Sequence, residues 1–169
     1  MGSPETGTAE RRAEGRRRIA AQLQRLDPFT FWSLPRDGAA DFAVVGTTGA
    51  FLISAVPVLG TADVQRGRSA VDGAPLEGRR RLRGEAKQLQ LALSRVTVPI
   101  QVEPVFCLTH AICGAPRSER GVRVLQVGDL AKDIADRPRI LPRLRAQRGA
   151  RELGMRLDGD ERRLFIGGR

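Results

Sequence analysis

The stretch Asp41-Phe-Ala-Val-Val-Gly-Thr-Thr-Gly-Ala-Phe-Leu-Ile-Ser-Ala-Val56 decides the fold of this 169-residue chain. It contains two apolar runs, residues 41–45 and 50–56, on either side of Gly46-Thr47-Thr48-Gly49. Each run is too short for a helix, and a glycine-bounded residue pair between two such runs is typical of a tight β-turn. The stretch therefore predicts a β-hairpin.

A two-residue loop also sets the register of this hairpin. Gly46 then faces Gly49, and Asp41 lies directly opposite Ser54. Opposed residues share one face with Cβ atoms roughly 5 Å apart, and Val56 lies two residues further along that face. A cation held by two carboxylates with a lysine beside it would use this geometry, with acids at positions 41 and 54 and the lysine at position 56.

The segments next to the hairpin carry helix, strand and turn signals. Apolar residues at helical spacing predict an amphipathic helix from about residue 9 to residue 26, and residues 29–34 favour a strand. Pro57 and Gly60 are expected to end the third strand, and Asp72-Gly73 marks a further turn-rich stretch. Residues 1–8 lack an apolar anchor and are expected to form a flexible tail.

The second half of the chain predicts one long helix and further strands. Its clearest helix has apolar residues spaced by four, three, four and three positions: Leu82, Ala86, Leu89, Leu93 and Val96. Residues 98–102 alternate and lead into a buried strand at 105–108, with Pro104 marking a break or a sheet edge. A loop over residues 114–121, a strand over 122–125, a short helix capped by Asp129 and further helical turns beyond residue 140 complete the pattern. We therefore expect a single-domain α/β (α+β) fold, a mixed sheet with a central antiparallel hairpin flanked by helices.

The hairpin resembles the core of the nuclease-related domain (NERD) family, a branch of the PD-(D/E)xK nuclease fold. That family typically has Asp-His-Val-Val-Val-Gly-Pro-x-Gly-Val-Phe-Val-Ile-Asp-x-Lys where this chain has residues 41–56. The resemblance extends to the helix around Glu14-Gly15, the helix from Leu82, the strand at Val105-Phe106 and the segment 121–130. It implies a NERD-like domain over residues 9–157, followed by a C-terminal tail over 158–169.

The resemblance also implies that the catalytic motif is degenerate. The family's first metal-binding acid matches Asp41, which is a weak metal candidate, but its second acid falls on Ser54 and its lysine on Val56. The family's helix glutamate falls on Arg16, although Glu14 is two residues away. Its second-helix glutamine has no secure equivalent, and Glu85 and Gln88 are both near. We therefore expect no intact catalytic residue and no cofactor, with Mg²⁺ required only if a cryptic nuclease uses migrated residues.

The chain is strongly basic, with 29 Lys and Arg against 19 Asp and Glu and a formal net charge of +10. Arginine binds phosphate bidentately, so three arginine-rich segments near helices, residues 11–18, 79–83 and 137–151, suggest a DNA- or RNA-binding module. Arginine bias also follows from a GC-rich genome, and a protein-interaction module or an assembly of identical chains remains open. The candidate phosphate-binding residues are Arg16, Arg17, Arg79, Arg80, Arg81, Arg83 and Lys87.

Other classes of protein fit the sequence poorly. No apolar run is long enough to span a bilayer, and the opening residues are polar and arginine-rich, so we expect a cytoplasmic protein without membrane contact. The resemblance to the NERD family implies a bacterial source. Cys107 and Cys113 are too few for a disulfide framework, and His110 alone cannot complete a structural zinc site. Cys107 and His110 would point to opposite faces of a strand, so we expect a buried cysteine and a loop histidine.

Overall fold

A computed structural model describes residues 4–65, 67–95 and 99–157 and shows a mixed α/β domain. Four helices flank one twisted sheet of eight strands. The elements in chain order are α1 (Pro4–Leu23), β1 (Phe31–Pro35), β2 (Phe42–Gly46), β3 (Gly49–Gln65), β4 (Arg68–Val71), β5 (Ala74–Pro75), α2 (Arg79–Ser94), β6 (Val102–Ile112), β7 (Arg117–Glu119), β8 (Val122–Gln126), α3 (Leu130–Ala135) and α4 (Arg143–Leu157).

The strands lie in the order β1-β2-β3-β6-β8-β7, and the β4–β5 pair extends from the far end of β3. β6 runs parallel to both β3 and β8, while the remaining pairs are antiparallel. Helices cover both faces of the sheet. The apolar residues of α2 and α4 share one buried cluster, and those of α1 and α3 share another, so the helices form two separate layers. The expected fold class, a mixed sheet with a central hairpin and flanking helices, is confirmed.

The hairpin register matches the sequence prediction. Gly46 pairs with Gly49 and Phe42 pairs with Ile53. Asp41 lies one residue beyond the last pair of this ladder. Its backbone N–H donates to the Ile53 carbonyl at 2.7 Å and its side chain accepts the Ala55 N–H, so Asp41 contacts the residues on either side of Ser54 just beyond the end of the ladder.

β3 is much longer than expected, because Pro57 and Gly60 do not end it. The pairing of β3 with β6 shifts register between Val56 and Leu59, so Pro57 lies in a bulge. A residue without an N–H is tolerated at a bulge because the ladder is already interrupted there. Gly60 has φ 122°, and a side chain there would collide with the Asp72 carboxylate. Both residues therefore lie within the strand instead of terminating it.

The buried face that the sequence predicts for the long second helix is confirmed. Leu82, Ala86, Leu89 and Leu93 are buried in α2, and the expected position Val96 lies outside the described residues. The helix begins at Arg79 with no acidic residue in its first turn. Its basic start therefore opposes the helix dipole, as the sequence indicated.

Pro104 lies inside β6 at a sheet edge, one of the two expected alternatives, because the β6–β8 ladder starts only at Val105. Four local predictions were wrong. α1 begins at Pro4 within the expected tail, and the predicted 114–121 loop contains β7. The Asp129 side chain makes no capping hydrogen bond, since a 3₁₀ turn precedes α3. His110 lies within β6 and not in a loop.

Two further findings concern the cysteines and the membrane prediction. Cys107 and Cys113 are free and buried, and burial raises the pKa of both thiols. In the described part of the chain, no helix combines the length and apolar character needed to cross a bilayer.

Candidate nucleic-acid interface and the hairpin site

The carboxylate of Asp41 is completely buried and already has partners. Its Oδ2 accepts the Ala55 N–H at 2.7 Å. Its Oδ1 lies 3.3 Å from Arg12 Nη2 and 3.4 Å from Arg16 Nη1, both on α1. Two guanidinium groups therefore compensate one buried charge, as a buried carboxylate requires. Arg16, at the position where the resemblance predicts an acid, is one of those two cations.

Ser54 and Val56 line an open groove of about 970 Å³ beside this ion pair. Its walls are both polar and apolar, and Arg11, Arg12 and Arg81 lie among its lining residues. A hydroxyl and an isopropyl group add no negative charge beside the Asp41 carboxylate, which two cations already share, and Glu77 is the acidic residue among the described residues that line the groove. Within residues 4–65, 67–95 and 99–157, no three His, Cys, Asp or Glu side chains converge to hold a metal ion.

Glu14 connects α1 to β6. Its carboxylate lies 3.4 Å from His110 Nε2 and 2.5 Å from Arg18 Nη2. The hydrogen bond from His110 and that from Arg18 hold the pKa of Glu14 below its ordinary value. Glu14, the acid nearest to the expected helix position, is therefore already engaged in a contact between helix α1 and strand β6.

Glu85 and Gln88, the two candidates on α2, have different surroundings. Glu85 accepts the Ala39 N–H at 2.7 Å and the Ala40 N–H at 3.3 Å, and it pairs with Arg36. It thereby holds the turn that leads into Asp41. Gln88 is exposed on the outer surface of α2. Neither residue is hydrogen-bonded to the Asp41 carboxylate in the structure.

A second groove, of about 700 Å³, lies between α2, β4 and the β7–β8 turn. We call it the basic groove. Among the described residues no acidic side chain lines it. Its basic lining residues are Arg68, Arg79, Arg80, Arg83, Lys87 and Arg120.

Arg79 is a half-buried lining residue of this groove, and its guanidinium is paired within the protein. Its Nη2 lies 2.5 Å from Oε1 of Glu119, which also accepts the Ser69 N–H at 2.6 Å. Burial raises the pKa of Glu119, but the hydrogen bonds from Ser69 and Arg79 outweigh it and hold the pKa below its ordinary value. This ion pair joins α2 to β7 and β4, so Arg79 has a structural role.

The structure separates the other predicted basic residues into four groups. Arg80, Arg83 and Lys87 are exposed in the basic groove, whereas Arg81 lines the groove of Ser54 and Val56. Arg16 forms ion pairs with Asp41 and, at 3.6 Å, with Asp37. Arg17 is exposed on α1, in the opposite helix layer.

Sequence reasoning missed Arg68 and Arg120. Arg68 opens β4 after Gly67, and Arg120 occupies the β7–β8 turn with φ 51° before Gly121. The signal for Arg120 was the Arg120-Gly121 pair, which can form a two-residue hairpin turn with positive φ at both positions. No sequence signal places these two turns beside α2, because that requires the complete sheet.

Comparisons of the chain with protein-family models, with curated proteins and with solved structures gave no match. The class that fold and site define is therefore a mixed α/β domain with an internally paired carboxylate at its hairpin and a separate basic groove.

Proposed function

We propose that this chain is a nuclease-like domain without catalytic activity, which binds nucleic acid through the basic groove. The observation that carries the proposal is the composition of that groove. Besides Arg79, which is paired with Glu119, its described lining residues include five further basic side chains and no acidic one. Arginine and lysine at such density attract the phosphate backbone, and arginine matches phosphate geometry.

The loss of catalysis is supported by the pairing of Asp41. Metal-assisted hydrolysis needs a divalent ion held by several oxygen ligands and open to water. Here Arg12 and Arg16 provide the countercharge that a metal ion would provide. We expect no Mg²⁺- or Mn²⁺-dependent cleavage of duplex or single-stranded DNA. Chelator-sensitive cleavage that is lost in Asp41→Ala would overturn this part of the proposal.

The distribution of charge supports nucleic-acid binding over a compositional arginine bias. α2 and α4 together contain ten basic and two acidic residues. α1 and α3 contain six basic and four acidic residues. A bias of the genome would enrich both layers alike, whereas a polyanion-binding surface concentrates charge on one side.

The test compares two variants of equal charge. The α2 variant carries Arg80→Gln, Arg83→Gln and Lys87→Gln, and the control variant carries Arg17→Gln, Arg25→Gln and Lys132→Gln on the opposite layer. We expect the α2 variant to bind DNA or RNA more weakly and with a log–log salt slope shallower by about 2 to 3. The control variant should bind like the wild type.

Two results would contradict the proposal. If the wild type fails to bind nucleic acid at about 50 mM salt, where phosphate contacts are strong, the nucleic-acid function is wrong and a protein-interaction role becomes the better account. If the α2 and control variants lose affinity equally, binding follows net charge and not the basic groove.

A further inference from the structure

The basic groove receives its unpaired cations from two sides. Arg80, Arg83 and Lys87 come from α2, whereas Arg68 and Arg120 come from the start of β4 and from the β7–β8 turn. All of them are exposed, and none makes an ion pair with another residue in the described part of the chain. A ligand inside the groove would therefore meet positive charge on both sides.

The two sides of the groove come close together at the β7–β8 turn. A Cβ atom placed on Gly121 would lie 3.4 Å from Nε and 3.6 Å from Cζ of Arg83. A single arginine side chain therefore reaches from α2 to the turn, so the groove is narrow there. The grooves of a B-form duplex alone are about 6 and 12 Å wide, so a whole duplex cannot enter and can contact only the rims. A single strand can lie between the two sides.

Gly84 interrupts the row of cations on α2. It follows Arg80 by four residues and precedes Lys87 by three, so it lies on the same side of the helix and lines the groove. A Cβ atom at this position would have no neighbour within 4 Å. Packing therefore does not require glycine here, although glycine inside a helix is less stable than alanine. Its missing side chain leaves space for a ligand to approach the helix backbone closely.

Arg120 has a backbone conformation that an arginine disfavours. Its φ is 51°, and within the described ranges the other non-glycine residue with positive φ is Asp72. Asp72 has a compensating contact, since its carboxylate accepts the Thr61 N–H at 3.0 Å. The Arg120 side chain makes no hydrogen bond to a described residue. Asparagine or glycine would suit this turn position better, so the arginine lowers stability while it adds a cation to the groove.

The groove also has contacts to offer to bases and sugars. Its described lining contains no aromatic residue. Bases that are exposed in a single strand stack on the planes of arginine side chains as well as on aromatic rings. Pro75 and Leu76 add apolar surface to the same lining. A duplex keeps its bases inside and would leave these contacts unused.

We propose that the basic groove binds a single strand of nucleic acid, which passes between α2 and the β7–β8 turn and lies against Gly84. This inference rests on the proposed function and adds the class of substrate and its path through the groove. Phosphate contacts and stacking tolerate any base, so the groove binds single strands with little sequence preference.

The first experiment fills the groove without changing its charge. Gly84→Leu adds an apolar side chain to the lining, and leucine favours a helix more than glycine does, so Tm should not fall. Gly128→Leu is the matched control. Gly128 is exposed in the 3₁₀ turn before α3, outside the groove lining, and a Cβ there would also have no neighbour within 4 Å.

Fluorescence anisotropy measures the affinity for a labelled oligothymidine of about 15 nucleotides and for a duplex of the same length. At about 50 mM salt, we expect the wild type to bind the single strand at least about fivefold more tightly than the duplex. Gly84→Leu should lose at least about tenfold in single-strand affinity, because its side chain occupies the path of the strand. Gly128→Leu should stay within about twofold of the wild type.

The second experiment replaces the arginine of the β7–β8 turn. Arg120→Asn removes one cation and introduces Asn-Gly, the residue pair that this turn favours, so Tm should rise. The log–log salt slope of single-strand binding, measured between about 50 and 200 mM salt, should become shallower by about 0.7, the value for one phosphate on a single strand. An unchanged slope would overturn the proposed path past the β7–β8 turn.

Failure of the inference and failure of the proposed function give different results. If the wild type binds the duplex as tightly as the single strand, or if Gly84→Leu binds like Gly128→Leu, the single-strand inference is wrong. The proposed function then stands if the α2 variant still binds more weakly than the control variant. If the wild type binds neither probe, both the proposed function and the inference are wrong.

Discussion

The hairpin site and the basic groove both contain arginine, but the partners of that arginine differ. At the hairpin, Arg12 and Arg16 both pair with the buried Asp41 carboxylate, so their positive charge compensates a negative charge within the protein. In the basic groove, Arg80 and Arg83 are exposed and make no ion pair with a described residue. The comparison teaches that the number of arginines in a segment does not indicate phosphate binding until the acids nearby have been placed.

The largest effect that tests this comparison is expected from Asp41→Ala. The substitution leaves the Ala55 N–H without its acceptor and two guanidinium groups without their shared carboxylate. We expect the free energy of unfolding to fall by about 3 kcal/mol in urea denaturation. Asp37→Ala is the control, since Asp37 also pairs with Arg16 but is 99% exposed, and it should change stability by less than about 0.5 kcal/mol. Equal effects would show that the hairpin site is not a structural ion pair.

A second substitution pair separates the structural and binding arginines within the basic groove. Arg79→Met removes a hydrogen bond to the buried Glu119 carboxylate, and we expect a loss of about 2 kcal/mol in stability. Arg83→Met should leave stability within about 0.5 kcal/mol of the wild type and weaken nucleic-acid binding. Thermal unfolding and anisotropy measure the two quantities. If Arg83→Met destabilises the fold as much as Arg79→Met, the distinction between the two residues is wrong.

The pH dependence of stability offers a smaller effect at Glu119. Its pKa is lower in the folded than in the unfolded protein, so its contribution to stability is present above the unfolded pKa and is lost as pH falls through the folded pKa. Glu119→Gln should therefore make unfolding less dependent on pH below about pH 4.3, the ordinary glutamate pKa. Urea midpoints measured between pH 7 and pH 3 test this. Identical pH profiles would contradict the assigned hydrogen bonding of Glu119.

The smallest effect is expected at Arg17. This residue is exposed on α1, in the layer opposite the basic groove. Arg17→Gln should change stability by less than about 0.5 kcal/mol and leave nucleic-acid affinity within about twofold. A larger loss of affinity would extend the binding surface to the second layer.

The parts of the fold that depend on local interactions could be predicted from the sequence. The register from Gly46–Gly49 to Phe42–Ile53 follows from a two-residue turn, and the buried face of α2 follows from its leucine spacing. The continuation of β3 through Pro57 could not be predicted, because it depends on pairing with β6 and on a bulge in that pairing.

In the candidate sites, too, features set by local spacing could be predicted, and features set by packing between distant elements could not. The α2 cations Arg80, Arg83 and Lys87 form one row because helical spacing alone places them together. The pairing of Arg16 with Asp41 depends on how α1 docks against the sheet, and the position of Arg120 depends on β7, which has only three residues. Short strands and interlayer contacts leave little periodic signal, so sequence patterns do not predict them.

The parallel pairing of β3 with β6 has a consequence for the folding kinetics. The first pair in this ladder, Ala50 with Val102, joins residues about fifty positions apart, with β4, β5 and α2 between them. The β2–β3 hairpin and α2 contain mostly local contacts and can form early, whereas closing the β3–β6 ladder requires the entropy cost of the intervening loop. We therefore expect that mutations along β6 slow folding, and that the hairpin is populated before the central parallel strands pair.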